Sequence, residues 1–125
     1  MQFRQWFEDN DQLQQLVKSL EEQHPEIQSL FAWESGHEVK LDDITISPSK
    51  RGQGIGSIVM RELKRFATSV GKPLVLTPEA DRGKKGALDR FYRGHGLIYN
   101  RGRNKDYRLG GTFGPTMYWR PDSSK

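Results

Sequence analysis

The stretch LDDITISPSKRGQGIGSIVMRELKRF, residues 41–66, decides the fold. Its first part alternates Ile44 and Ile46 with polar residues, a pattern typical of a half-buried strand that ends at Pro48. A turn with three glycines follows, and apolar residues then recur at helical spacing over positions 54–70. The segment therefore predicts a strand, a tight glycine turn and a long helix.

Glycines between a strand and a helix serve one of two purposes. They form a tight turn through unusual backbone angles, or they let a ligand approach the main chain at the helix N-terminus. The N–H groups and the dipole of that terminus stabilise phosphate oxygens. The spacing of Gly52, Gly54 and Gly56 does not match GxGxxG, and the sequence contains no GxxxxGK[ST]. Two common nucleotide-binding motifs are thus excluded, and a different phosphate site or a purely structural turn remains.

The flanking sequence completes an alternation of helices and strands. Upstream, we expect an amphipathic helix over residues 10–23 and an antiparallel hairpin formed by residues 27–34 and 38–47. The elements expected downstream are a buried strand at 73–77, a helix at 84–94, and short strands at 97–99 and 116–120. This order predicts a mixed α/β fold around one hydrophobic core.

Composition limits the class of protein. A chain of 125 residues fits one domain, which we expect over residues 1–120, with 121–125 as a loose tail. No apolar run reaches the roughly 18 to 20 residues that span a bilayer, and the N-terminus lacks a secretory signal, so we expect a cytoplasmic protein without a membrane partner. The absence of cysteine excludes a disulfide framework and a thiol nucleophile, and three scattered histidines disfavour a metal site.

The charge is distributed unevenly along the chain. Residues 1–48 contain 3 Lys and Arg against 10 Asp and Glu, a net charge of −7. Residues 49–125 contain 17 against 6, a net charge of +11, which gives the chain its +4. A basic half of this size attracts a polyanion, and charge alone does not distinguish a phosphorylated cofactor from a nucleic acid or from a solvated basic surface.

Two segments resemble the GNAT family of acyl-CoA-dependent N-acyltransferases. RGQGIG, residues 51–56, is similar to that family's signature [QR]xxGx[GA], and ALDRFYRGHGL, residues 87–97, is similar to its second segment, a helix carrying Phe-Tyr before a Gly-hydrophobic pair. The resemblance covers residues 38–99 and implies a compact, mixed and mostly antiparallel central sheet flanked by helices. The chain departs from the family in its short N-terminal part and in the segment 78–81, where the family commonly has Asn.

The resemblance implies acetyl-CoA as the cofactor. By similarity, main-chain N–H groups would hold its pyrophosphate, with the Arg51 side chain beside it, and the strand before the turn would pair with the pantetheine arm. The N–H groups implied are those of Gln53, Gly54, Ile55, Gly56 and Ser57. The main-chain groups implied for the pantetheine arm are those of Ile46 and Ser47.

The resemblance also implies direct attack of an amine on the thioester. Tyr92, the Tyr of the Phe-Tyr pair, is the candidate general acid, because a phenol can protonate or hydrogen-bond a departing thiolate. Asp42 on the central strand is the candidate base, and Asp43, Glu38 or water are alternatives. His37 and His95 are explained by a hairpin turn and a helix end, respectively.

Other functions remain open at the level of sequence. The chain can be read as a basic nucleic-acid-binding module or as a catalytically inactive partner protein with this fold. Residues 100–108, NRGRNKDYR, would engage an acidic acceptor, such as charged tRNA, or form a solvated loop. The acceptor amine, on a small molecule or a protein, is not specified, and either a monomer or a homodimer pairing through residues 116–120 is compatible with the sequence.

Overall fold

The computed structural model describes residues 3–48, 54–78, 85–106, 109 and 116–121. Within these ranges it contains three α-helices and five strands. In chain order the elements are α1 (Phe3–Gln23), β1 (Ile27–Glu34), β2 (Val39–Ile46), α2 (Ile55–Val70), β3 (Leu74–Leu76), α3 (Lys85–Gly94), β4 (Ile98–Tyr99), a 3-10 turn (Gly102–Asn104) and β5 (Met117–Trp119). Each element predicted from the pattern is present, and most bounds agree within one or two residues.

The first helix is longer than predicted. It begins at Phe3 rather than at residue 10, because no Pro or Gly interrupts the intervening sequence. Neither this helix nor any other in the described ranges is both long and apolar enough to cross a membrane.

The strands form one sheet in the order β1-β2-β3-β5-β4. β2 and β3 are parallel and are connected through α2, whereas the other three pairs are antiparallel. This confirms the predicted mixed, mostly antiparallel sheet. β5 is already paired on both sides, with β3 and β4, so a homodimer through residues 116–120 could not form by adding a strand to β5.

β2 and β3 are paired over only part of their length. Their register covers three positions, from Val39 opposite Leu74 to Leu41 opposite Leu76. β3 ends there, whereas β2 continues to Ile46. Among the described residues, no strand pairs with β2 on the β3 side beyond Leu41, and this stretch is called the opening between β2 and β3.

The three helices pack on one face of the sheet, here called the helix face. A large apolar core on this face joins the helices to Leu30 and Ala32 of β1, Leu41 of β2, and Leu74 and Leu76 of β3. Alternating residues point to the other face, where the described residues form one small buried cluster, Val75, Leu109 and Tyr118. The helix face therefore contains most of the buried apolar surface.

Candidate active site

The N-terminus of α2 presents a set of backbone donors. Gly54 precedes the helix in the left-handed conformation, with φ 82°, and offers no side chain as a cap. The first helical hydrogen bond runs from the Ile58 N–H to the Gly54 carbonyl, at 3.0 Å. The N–H groups of Ile55, Gly56 and Ser57 come before it and have no acceptor within the helix, as at every helix start. The donors lie at the positive end of the helix dipole.

The two glycines described in the turn are required for different reasons. Gly54 needs its positive φ, and a Cβ built on it would meet nothing within 4 Å. Gly56 has ordinary angles, but a Cβ there would lie 3.2 Å from Cζ of Phe91. Gly56 thus allows α3 to pack closely against the first turn of α2, whereas the described residues leave room for a Cβ at Gly54.

The first turn of α2 suits an anionic group such as a pyrophosphate. It carries no acidic residue. The positive charges of Arg61 and Lys64 act on His95, whose ring contacts Ser57 in this turn. Backbone donors at a helix N-terminus, a first turn without acidic residues, and room for a Cβ at Gly54 among the described residues all suit a phosphate site.

His95 connects the end of α3 to the start of α2. Its Nε2 lies 3.1 Å from Oγ of Ser57, and its main-chain carbonyl accepts a hydrogen bond of 2.9 Å from Nζ of Lys64. Burial lowers the pKa of His95, and the charges of Lys64 and Arg61 lower it further, so the imidazole is neutral at neutral pH. The sequence indicated only a helix-end role, and the contact with Ser57 depends on the packing of two helices distant in sequence.

Tyr92 is a buried phenol on α3, with 6% of its surface exposed. Burial raises its pKa to about 12, and the negative charge of Asp43 adds to the increase. Tyr92 is therefore fully protonated at neutral pH and can act as an O–H donor.

Asp43 is fixed on β2 by two hydroxyl groups. Ser29 Oγ on β1 donates to one carboxylate oxygen, and Thr45 Oγ1 donates to the other at 3.1 Å. Each oxygen retains a further lone pair for another donor. The carboxylate of Asp43 therefore has a fixed orientation on the side of the hairpin that carries Ser29 and Thr45.

Asp42 has different surroundings. It is the extra residue of a β-bulge in β2, because Phe31 pairs with Asp43 and Ala32 pairs with Leu41. Its carboxylate is exposed and accepts a 2.6 Å hydrogen bond from the indole Nε1–H of Trp33. Asp43 is the carboxylate whose charge raises the pKa of Tyr92. The sequence could not distinguish Asp42 from Asp43, because an Asp-Asp pair does not indicate which of its residues occupies a β-bulge.

The remaining predicted cofactor residues lie at the end of β2 and in the turn. Ile46 ends β2 beside the opening between β2 and β3. The Ser47 N–H donates to the Glu26 carbonyl at 2.8 Å, so a contact of Ser47 with a pantetheine arm would involve its carbonyl. Arg51 and Gln53 lie outside the described residues.

The comparison with protein families identifies the family to which the chain belongs. Residues 7–97 match the model of the acetyltransferase (GNAT) family. The match spans the opened sheet, the glycine turn and the helix that carries Tyr92, so this chain belongs to the GNAT acetyltransferase family. Acetyl-CoA is accordingly its cosubstrate, in agreement with the phosphate-binding character of the α2 N-terminus.

AcrVA5 and Ard1 show the same fold, with TM-scores above 0.5. The anti-CRISPR protein AcrVA5 is 26% identical, with a TM-score of 0.54, over 72% of this chain and 86% of that one. Ard1 from Thermoplasma volcanium is 17% identical, with a TM-score of 0.51, over 86% of this chain and 78% of that one. AtaTR bound with AcCoA is 21% identical, with a TM-score of 0.45, over 69% of this chain and 45% of that one. No curated protein matches the chain at a significant level.

Proposed function

We propose that the chain is an N-acetyltransferase that moves the acetyl group of acetyl-CoA to a primary amine by direct attack. The observation that carries the proposal is that α3, with its buried and protonated Tyr92, packs against the N-terminus of α2 through Phe91 and Gly56. The orientation of the Asp43 carboxylate, fixed by Ser29 and Thr45, supports the proposal. Acetyl-CoA supplies an activated thioester. The chain supplies the groups that orient it and handle the protons.

The first role of the chain is to bind the cosubstrate. The N–H groups of Ile55, Gly56 and Ser57 would hold the pyrophosphate, and the main chain at Ile46 and Ser47 would contact the pantetheine arm. Gln53 and the Arg51 side chain belong to the same proposal. The open space at Gly54 supports this placement, because a side chain there would stand in front of the donors.

Proton handling is assigned to Tyr92 and a carboxylate of β2. The amine nitrogen forms a bond to the carbonyl carbon, its proton passes to the carboxylate or to water, and the C–S bond breaks. Tyr92 would stabilise the departing thiolate through its O–H. Because its pKa of about 12 lies well above the pKa of about 8.5 typical of a thiol, hydrogen-bond donation is favoured over complete proton transfer.

Between the two β2 carboxylates, the contacts favour Asp43 over Asp42 as the base. Asp43 interacts with Tyr92 and is oriented by Ser29 and Thr45, whereas Asp42 accepts from the indole of Trp33. We expect Asp43→Asn to lower kcat by about a hundredfold, the usual scale for a general base, and Asp42→Asn to leave kcat within about threefold. The assay is release of free thiol from acetyl-CoA with a panel of amines, with the acetylated product confirmed by mass spectrometry.

Absence of any acetylated product with small amines, lysine peptides and aminoacyl-tRNA would contradict the proposed transfer. If acetyl-CoA nevertheless bound, the chain would be an inactive member of the fold that keeps the cofactor site. Equal kcat values for the parent and Asp43→Asn would contradict the assignment of the base alone.

The similarity to AcrVA5 supports a narrower candidate role, since the match covers 86% of that anti-CRISPR protein. In this role the acceptor is a protein component of a CRISPR system, modified with acetyl-CoA as the donor. We expect DNA cleavage by the susceptible CRISPR nuclease to be lost after incubation with the chain and acetyl-CoA, but not with the chain and CoA. Unimpaired cleavage by nucleases of every CRISPR type tested would contradict this role without affecting the acetyl-transfer proposal.

A further inference from the structure

One face of the β1–β2 hairpin is not covered by the described helices. Antiparallel partners share a face, and the register pairs Ser29 with Thr45, Phe31 with Asp43 and Trp33 with Lys40. These pairs point away from the helix face. We call this surface the open face, and its residues are Ser29, Phe31, Trp33, Lys40, Asp42, Asp43 and Thr45.

The open face exposes aromatic surface next to carboxylates. Phe31 is 63% exposed, the most exposed of the large hydrophobic residues described. Trp33 is half-buried and lies two positions along the same strand, on the same side. A single exposed hydrophobic residue is ordinary, but Phe31 lies directly opposite Asp43 and close to Asp42.

The chain itself shows that an ammonium group fits this surface. Nζ of Lys40 lies 5.7 Å from the centroid of the Trp33 ring and 3.8 Å from Oδ1 of Asp42. An indole face and a carboxylate together stabilise a cation through cation–π and ion-pair interactions. The same combination can recognise a basic side chain of a partner.

A groove of about 580 Å³ runs along this surface. Its lining residues are Gln14, Phe31, Ala32, Trp33 and Asp42. The Gln14 amide donates to the Ala32 carbonyl at 2.8 Å, so α1 closes one side of the groove at the edge strand. The groove is apolar at Phe31 and Trp33 and acidic at Asp42, and its dimensions suit one or two side chains.

The groove is continuous with the proposed catalytic groups. Asp43 belongs to the open face through its pairing with Phe31, and its charge also acts on Tyr92. Successive same-face positions along a strand are about 6.6 Å apart, so a bound segment that contacts Trp33 and Asp42 would place a neighbouring residue at Asp43. The face therefore leads from solvent to the carboxylate that is proposed as the base.

We propose that the open face binds the acceptor as a polypeptide segment in which basic residues flank the acetylated lysine. This inference rests on the proposed acetyltransferase function and names its acceptor class. Charge complementarity selects the occupant, because the open face carries two carboxylates, Asp42 and Asp43, against one cation, Lys40. The same carboxylates repel a nucleic-acid backbone.

The experiment compares two lysine peptides that differ only in flanking charge, one with arginine and one with glutamate on either side of a single lysine. Steady-state acetylation is measured for the parent, Phe31→Ala, Asp42→Asn and the control Ile98→Ala. Ile98, 39% exposed, is the other exposed large hydrophobic residue among those described, and it lies on β4 at the opposite edge of the sheet. Calorimetric binding of acetyl-CoA is measured for the same samples.

We expect the parent to have a KM about tenfold lower for the arginine peptide than for the glutamate peptide. Asp42→Asn should reduce this preference to about threefold, and Phe31→Ala should raise the KM for both peptides about fivefold, with kcat unchanged in each. Ile98→Ala should behave like the parent. The separation of KM from kcat distinguishes docking from chemistry.

The inference is overturned if acetyl-CoA binds but neither peptide is acetylated, or if Phe31→Ala and Asp42→Asn retain the parent's KM values. Inhibition by a single-stranded oligonucleotide that is lost in Phe31→Ala would assign the face to nucleic acid and also overturn it. Failure of acetyl-CoA to bind would instead refute the proposed function itself, so the two failures are distinguishable.

Discussion

Gly54→Asp is expected to lower the affinity for acetyl-CoA by about a hundredfold while the protein remains folded. Gly54 lies at the start of α2 with open space around it, so the new carboxylate would face the proposed pyrophosphate site. Two like charges at roughly 6 Å and an effective dielectric near 20 repel by about 3 kcal/mol, which is about a hundredfold in affinity. Isothermal titration calorimetry with acetyl-CoA measures the effect.

The chain offers a matched control for this substitution. Gly71 ends the same helix with φ 69°, and a Cβ there would also meet nothing within 4 Å. Gly71→Asp should therefore carry a similar backbone cost, roughly 1 kcal/mol, and leave acetyl-CoA binding unchanged. Gly54→Asn, similar in size but uncharged, should bind acetyl-CoA more tightly than Gly54→Asp. Equal affinities for the parent and Gly54→Asp would contradict the assignment of the site.

Tyr92→Phe is expected to lower kcat by about a hundredfold without weakening acetyl-CoA binding. The substitution keeps the buried ring and removes the hydroxyl that would stabilise the departing thiolate. Tyr99→Phe is the control, because it removes the hydroxyl of a tyrosine that lies on β4 and not on the helix that carries Tyr92. Stopped-flow measurement of thiol release separates the chemical step from product release. A kcat equal to that of the parent would exclude Tyr92 from the chemistry.

The raised pKa of Tyr92 also predicts how the stability of the protein depends on pH. Because the pKa rises from 10.0 to about 12 on folding, the protonated phenol contributes stability that is complete below pH 10 and is lost as pH increases to about 12. The Tm of the parent should thus fall relative to that of Tyr92→Phe between these pH values. Below pH 10, activity should show no decline caused by ionisation of Tyr92.

The elements of the fold follow from the sequence because their signals are local. The alternation around Ile44 and Ile46 and the apolar repeat over positions 54–70 each need only neighbouring residues to be recognised. The start of α1 was misplaced because the segment from Phe3 contains no signal that stops or starts a helix. The order of strands, with β5 between β3 and β4, is set by pairing over long separations and was accordingly missed.

The candidate site was predictable only in part. The glycine turn and the Phe-Tyr pair stand in continuous segments, so Gly54 and Tyr92 could be singled out from the sequence. The preference for Asp43 over Asp42 depends on a β-bulge, and the contact between Gly56 and Phe91 depends on helix packing. Neither feature has a local sequence signal. The open face could not be predicted from the sequence either, because the exposure of Phe31 depends on which side of the sheet the helices cover.

The central claim is that acetyl-CoA binds through the backbone at the start of α2, and amide chemical shifts test it most directly. A ¹⁵N-labelled sample of the protein is titrated with acetyl-CoA and followed by two-dimensional NMR. We expect the amide signals of Ile55, Gly56 and Ser57 to shift most. In Gly54→Asp, the same signals should not move at the same concentration of acetyl-CoA. Shifts confined to other parts of the chain, or no shifts at saturating acetyl-CoA, would contradict this claim.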